Sequence, residues 1–104
     1  MTTVIEFRVA RMTNVEALAG AIAHAIRRGD GVDLVAHGLH QVGLAAVGAS
    51  LAREFLIEDG LGLTAAIQRV QLVFTPDKMA YGTKLALREY PLHGDDPAPQ
   101  AAEA

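Results

Sequence analysis

In the first quarter of the chain, apolar residues recur with two different periodicities, one after the other. Residues 3–10 alternate between apolar and polar side chains, with Glu6 and Arg8 on the polar side, which is typical of a half-buried strand. From Val15 to Ile26 the apolar residues recur every three or four positions, which predicts an amphipathic helix. The chain therefore begins with a strand followed by a helix.

The rest of the chain predicts a second strand and helix, followed by two further strands. Residues 32–36 form a short apolar run, and residues 40–58 are rich in alanine and glycine and predict a second helix. Residues 63–74 and 83–90 have strand character, and they are joined by a polar segment, residues 75–82, which contains turn-forming residues. We interpret this segment as the arm of a hairpin.

Taken together, the elements predict a β-α-β-α-β-β order. The fold class is α/β in a two-layer, α+β arrangement, with two helices on one face of a four-stranded mixed sheet. The first two strands, joined by a helix, would be parallel. Residues 1–93 would form one domain, and residues 94–104 an acidic, disordered tail, because they contain too little apolar surface to fold.

Charge and composition narrow the possible functions. The net charge is −3, but removing Asp95, Asp96 and Glu103 in the tail leaves nine acidic residues against nine basic ones. A neutral body is unusual for a non-specific nucleic-acid binder, so any contact with phosphates would come from a local patch. Only five aromatic residues are available to stack on bases: Phe7, Phe55, Phe74, Tyr81 and Tyr90.

The sequence contains few features that would indicate catalysis, cofactor binding or membrane insertion. The chain has no cysteine, and Ser50, its one serine, has no His and acid at a recognisable spacing. No phosphate-cradling or dinucleotide motif is present, so we expect no enzyme and no cofactor. The sequence also lacks a secretion signal and an apolar run of membrane-spanning length, which predicts a cytoplasmic protein.

Function is expected where two strands turn into helices. Residues 11–14 follow the first strand, and residues 37–41 follow the second. Because parallel strands end at the same edge of a sheet, the two turns would lie side by side. Helix N-termini attract anions, so this edge suits a phosphate backbone.

Each candidate residue also has a plain structural interpretation. Arg11 and Asn14 would contact phosphate, or Asn14 would simply cap the helix beside a solvated arginine. His37 and His40 have the spacing of two metal ligands, but no third ligand lies nearby in the sequence. Two ligands alone make a weak metal site, and the alternative is that both histidines belong to a structural turn. The glycines at 43 and 48 would pack closely, either within one subunit or between subunits.

Basic residues on the strands also have two interpretations: Arg8, Arg69, Lys84 and Arg88. They would form a basic sheet surface that binds nucleic acid, or they would pair across the strands with Glu6, Asp33 and Glu89.

Four segments resemble the stage V sporulation protein S family: residues 7–11, 18–23, 52–55 and 82–89. This resemblance implies an Alba-like fold and a small homo-oligomer, a dimer or tetramer. Alba-type proteins bind DNA or RNA through the first loop, the start of the second helix and the hairpin arms. By position, the resemblance assigns nucleic-acid contacts to Arg11, Thr13, Asn14, His40, Gln41 and Lys78.

Three hypotheses follow from the sequence. The first is a nucleic-acid-binding, non-enzymatic regulatory protein with DNA or RNA as its partner. The second is an oligomeric protein-interaction or scaffold module, which the neutral charge of the body favours. The third is a protein that binds a small anion, such as a nucleotide, between the two helix N-termini.

Overall fold

Six elements make up the protein in the computed structural model, which describes residues 2–92. In chain order they are β1 (Val4–Val9), α1 (Val15–Arg27), β2 (Gly31–Ala36), α2 (Leu39–Ile57), β3 (Leu61–Thr75) and β4 (Lys78–Pro91). The predicted β-α-β-α-β-β order is confirmed. The predicted acidic tail, residues 94–104, lies outside the described residues.

The four strands form one mixed sheet in the order β1-β2-β4-β3. β1 and β2 are parallel, and their pairing runs from Val4 opposite Gly31 to Val9 opposite Ala36. β4 is antiparallel to both of its neighbours, β2 and β3. The last strand in sequence therefore lies inside the sheet, and the carboxyl ends of β1 and β2 lie together at one edge.

The hydrophobic core lies between the sheet and the two helices, which cover one face as predicted. The largest fully buried side chains come from both layers: Ile22, Ile26, Val32, Leu34, Leu56 and Leu87. Burying a side chain of this size contributes roughly 1.5–3 kcal/mol. On the opposite face, Asp33 lies between Lys84 and Arg88.

Gly48 packs inside the subunit. A Cβ at this buried position would lie 2.8 Å from Leu18 Cδ2 on α1, so the missing side chain lets the two helices approach each other. Gly43 is exposed, and no atom lies within 4 Å of its Cβ position. Of the two interpretations of these glycines, close packing within one subunit is correct for Gly48.

The hairpin arm differs from the polar connection predicted over residues 75–82. Both strands continue into it, and only Pro76 and Asp77 form the turn between β3 and β4. In the structure the arm therefore comprises residues 72–82, the paired ends of β3 and β4, and Leu72 at its base is buried. A Cβ at Gly82 would lie 2.7 Å from both the Ala36 carbonyl oxygen and Leu72 Cδ1. The base of the arm thus packs closely against the end of β2.

Candidate nucleic-acid interface

The loop between β1 and α1 is closed by two of the predicted contact residues. Thr13 Oγ1 accepts a hydrogen bond from the Ala10 N–H, with 2.8 Å between the heavy atoms. Asn14 Oδ1 accepts one from the Ala17 N–H at 2.9 Å and so caps α1. These oxygens satisfy backbone donors. Thr13 and Asn14 therefore shape the loop that presents Arg11.

Arg11 is exposed in this loop. Within residues 2–92 its guanidinium group forms no ion pair, whereas Arg27, Arg28 and Arg88 each bind an aspartate. A positive charge without a carboxylate partner remains available to an anion. Arg11 is thus the principal basic group of this loop.

The second turn begins α2 with a glycine. Gly38 has a φ of 100°, in the left-handed region that favours glycine. No side chain from the described residues caps the first turn of α2, so the first backbone N–H groups of this helix lack a side-chain acceptor there. His40 and Gln41 lie in this first turn, and the Gln41 side chain folds over Gly38, with Oε1 3.0 Å from the Cβ position of the glycine.

One hydrogen bond joins the two turns. His40 Nε2 lies 3.2 Å from the Arg11 carbonyl oxygen, and because a carbonyl only accepts, the imidazole N–H donates. Val9 and Ala36 pair at the ends of β1 and β2, so both turns start from the same sheet edge. The prediction that these turns lie side by side is confirmed.

The arm carries Lys78 at the start of β4. Lys78 is exposed, and its Nζ lies 6.0 Å from the centre of the Phe74 ring. This ring packs against His37 in a T-shaped contact, with ring centres 5.7 Å apart. His37 Nδ1 in turn donates to the Tyr81 carbonyl oxygen at 3.1 Å. His37 therefore fastens the arm to the second turn, which agrees with its interpretation as a structural residue.

A concave surface lies between the first loop, the second turn and the arm. We call it the loop–arm cavity; its volume is about 350 Å³. Its polar and aromatic walls come from all three segments: Arg8, Arg11, His37, Gln41 and Phe74. Among the described residues, no carboxylate lines it. Arg11 and Gln41, predicted from distant parts of the sequence, meet here.

Arg8 and Phe74 also line this cavity, although neither is among the site residues that the sequence predicts. Arg8 is expected on the open sheet surface, and Phe74 is one of five aromatic residues. Phe74 lies where the register between β3 and β4 shifts, between Val73 and Thr75, and no local pattern encodes this irregularity. The available signal was an aromatic residue close to a Pro-Asp turn, where burial is uncommon.

The basic residues on the strands are mostly paired. Arg88 Nη1 lies 3.1 Å from Asp33 Oδ1, and Lys84 Nζ lies 3.8 Å from Asp33 Oδ2. Arg69 stacks on the Tyr81 ring, 3.8 Å from its centre. For Lys84 and Arg88, cross-strand pairing is the correct interpretation.

An apolar groove lies on the other side of His37. It has a volume of about 550 Å³, and its walls include Leu39 and Val42 from α2 and Ile67 and Tyr81 from the hairpin. Leu39 is 94% exposed and Ile67 is 75% exposed. Apolar side chains that remain in water to this extent are typical of interaction surfaces.

Residues 2–92 contain neither a metal-binding cluster nor a membrane-spanning helix. No group of three or more His, Asp or Glu side chains in this part of the chain is placed to hold a metal ion. His37 and His40 each bind a different backbone carbonyl. Neither helix is sufficiently long and apolar to span a membrane.

Comparison with known proteins identifies the family. The model of the stage V sporulation protein S family matches residues 5–80. No curated protein matches the chain. Among solved structures, Alba from Thermoplasma volcanium is similar, with a TM-score of 0.53 and 11% sequence identity over 82% of this chain and 95% of that one. The fold is therefore Alba-like, and the chain belongs to the stage V sporulation protein S family.

Proposed function

We propose that this protein is a cytoplasmic, non-enzymatic regulatory protein that binds DNA or RNA. One observation carries the proposal: two segments far apart in sequence bring Arg11 and Gln41 to one concave surface, and the arm adds Phe74 to it. Lys78 extends this surface toward the tip of the arm. The name of the family supports a role in sporulation.

Electrostatics support binding by a few local contacts. The body of the protein is neutral, so its net charge attracts no polyanion. Arg11 and Lys78 form no ion pair within residues 2–92, and the uncapped first turn of α2 adds backbone donors. We assign phosphate contacts to Arg11 and Lys78, and polar contacts to His40 and Gln41. Thr13 and Asn14 act by holding the loop.

A binding role rather than catalysis is consistent with the nucleophiles present. The chain has no cysteine, and the Ser50 hydroxyl donates to the Val47 carbonyl oxygen within α2 at 2.7 Å. This serine therefore has no general base to activate it.

The test is fluorescence anisotropy with labelled single- and double-stranded DNA and RNA at low and near-physiological salt. The wild type should bind with an affinity that falls steeply with salt. Arg11→Ala with Lys78→Ala should weaken binding and reduce the slope of log affinity against log salt by about two. Arg28→Ala with Arg53→Ala removes the same charge elsewhere and should leave the slope unchanged. Equal slopes for both double variants would contradict these assignments.

The apolar groove favours a second property, assembly into a homo-dimer or tetramer. Leu39 and Ile67 expose apolar surface that a second copy would cover. Ile67→Asp should then lower the mass measured by light scattering, because a buried carboxylate without a partner is costly. Val4→Asp, a change at another exposed apolar residue, is the matched control. An oligomer unaffected by Ile67→Asp would exclude this surface.

Two alternatives, a protein-interaction module without nucleic acid and a binder of small anions, are distinguished by anisotropy, light scattering and thermal unfolding. The interaction module predicts an oligomer but no anisotropy change with any oligonucleotide. A small-anion binder predicts a higher melting temperature with nucleotides, because a ligand that binds only the folded state stabilises it.

A further inference from the structure

We propose that the loop–arm cavity accepts one unpaired nucleotide, so that the protein prefers single-stranded over double-stranded nucleic acid. This inference rests on the proposed function and specifies its substrate class. It follows from the shape of the cavity, the chemistry of its walls and the position of Phe74.

The shape of the cavity distinguishes the two forms of nucleic acid. In a duplex, the bases are stacked and only their edges and the phosphates reach a protein. The loop–arm cavity is concave, and its floor is apolar, formed by Val9, Val35 and Leu72. A stacked duplex cannot place a ring face on this floor, whereas an unpaired base can.

Phe74 provides a surface for stacking. Its side chain is 46% exposed although it lines the cavity. His37 packs against it with an angle of 66° between the ring planes, so this contact is not a parallel stack such as a base would form. Exposed aromatic rings beside cations are the usual platform for unpaired bases.

Polar groups around Phe74 match the rest of a nucleotide. The Gln41 amide offers both a donor and an acceptor to the edge of a base. Arg8 and Arg11 lie on the β1 side of the cavity and would contact the phosphate. The exposed pair between Arg8 and Glu6 is 4.0 Å long, and a pair of this kind holds Arg8 only weakly.

The position of Lys78 favours a nucleic-acid strand over a free nucleotide as the ligand. Its Nζ lies 6.0 Å from the Phe74 ring centre, and Lys78 does not line the cavity itself. Because Lys78 Nζ lies over this ring, a base stacked on Phe74 would have cations at two places: the arginines inside the cavity and Lys78, next to the turn at the tip of the arm. Charges at two places suit consecutive phosphates of one strand.

The experiment compares a labelled single strand, its complementary duplex and a mononucleotide competitor, AMP or UMP. The wild type should bind the single strand at least tenfold more tightly than the duplex. Phe74→Leu should weaken single-strand binding about tenfold and leave duplex binding nearly unchanged. Phe55→Leu, at an exposed aromatic residue of α2, is the matched control and should bind like the wild type.

A fluorescent variant makes the test independent of any loss of stability in Phe74→Leu. The chain has no tryptophan, so Phe74→Trp introduces a single indole into the cavity. Single-stranded oligonucleotide should quench its emission by stacking, whereas the same oligonucleotide should not quench Phe55→Trp.

The outcomes separate the two proposals. Failure of every oligonucleotide to bind at low salt would refute nucleic-acid binding and this inference with it. Binding of duplex as tight as that of single strand, or an unquenched Phe74→Trp, would refute only the unpaired nucleotide. If the mononucleotide displaces the oligonucleotide at an equal concentration, the ligand of the cavity is a free nucleotide, and the proposal of a strand is refuted.

Discussion

The imidazole of His40 donates a hydrogen bond to the carbonyl oxygen of Arg11, with 3.2 Å between the two heavy atoms. This bond joins the first turn of α2 to the loop before α1. The backbone of Arg11 is therefore fixed from a neighbouring element, while its guanidinium stays exposed. The proposed phosphate contact of Arg11 thus depends on His40 as well, in addition to the polar contact proposed for His40 itself.

Loss of this bond should loosen the first loop. We expect His40→Ala to lower the free energy of unfolding by about 0.5–1 kcal/mol and to speed amide exchange in residues 11–14, measured by hydrogen exchange. His24→Ala, at an exposed residue of α1, should leave this exchange unchanged. If both variants exchange alike, His40 does not hold the loop.

Asn14 should act through the stability of α1. Its Oδ1 accepts from the Ala17 N–H, so Asn14→Ala should cost about 1 kcal/mol in urea unfolding. Asn14→Ser keeps a capping oxygen and should retain most of the stability. A loss of nucleic-acid affinity in the serine variant, at unchanged stability, would assign Asn14 a direct contact instead.

The two glycines of α2 should respond in opposite directions. Gly48→Leu inserts a side chain where a Cβ alone would lie 2.8 Å from Leu18 Cδ2, and overpacking typically costs about 1–3 kcal/mol. Gly43→Ala faces open space and should stabilise the helix by about 1 kcal/mol. Thermal unfolding of both variants tests this; a stable Gly48→Leu would show that the helices separate easily.

Gly82 should be intolerant of any side chain. In Gly82→Ala the new Cβ would meet the Ala36 carbonyl oxygen at 2.7 Å, and this atom belongs to the backbone of a central strand. We expect a loss of about 1–3 kcal/mol and, because the arm must shift, weaker nucleic-acid binding. Gly20→Ala, with open space around it, should gain stability. If Gly82→Ala has the same melting temperature as the wild type, the arm can shift to accommodate the new side chain at little cost.

The local pattern of apolar and polar residues is sufficient to predict the elements that bury only one face. The alternation around Glu6 and Arg8 predicts β1 because one face of this strand packs on the core and the other faces water. The spacing from Val15 to Ile26 predicts α1 for the same reason. The meeting of Arg11 and His40 could also be predicted, since parallel strands end at the same edge.

The arm could not be predicted, because its conformation depends on residues far apart. The polar residues between Thr75 and Gly82 predict a polar connection, yet strand pairing continues to Thr75 and Lys78, on either side of the two-residue turn. The base of the arm is fixed where Leu72 packs against Gly82 beside Ala36, and the register shifts between Val73 and Thr75. These features place Phe74 at the same cavity as Arg8, and they depend on the tertiary structure.

The strand order has a consequence for how the chain folds. Asp33 on β2 and Arg88 on β4 contact each other although they are 55 residues apart in sequence, and β4 separates β2 from β3 in the sheet. During synthesis, the first β-α-β unit therefore emerges with one side of β2 unpaired until the last strand arrives. Such non-local pairing slows folding and exposes a strand edge to other chains. Truncation before residue 78 would remove the strand that closes this edge, and the shortened chain should aggregate rather than fold.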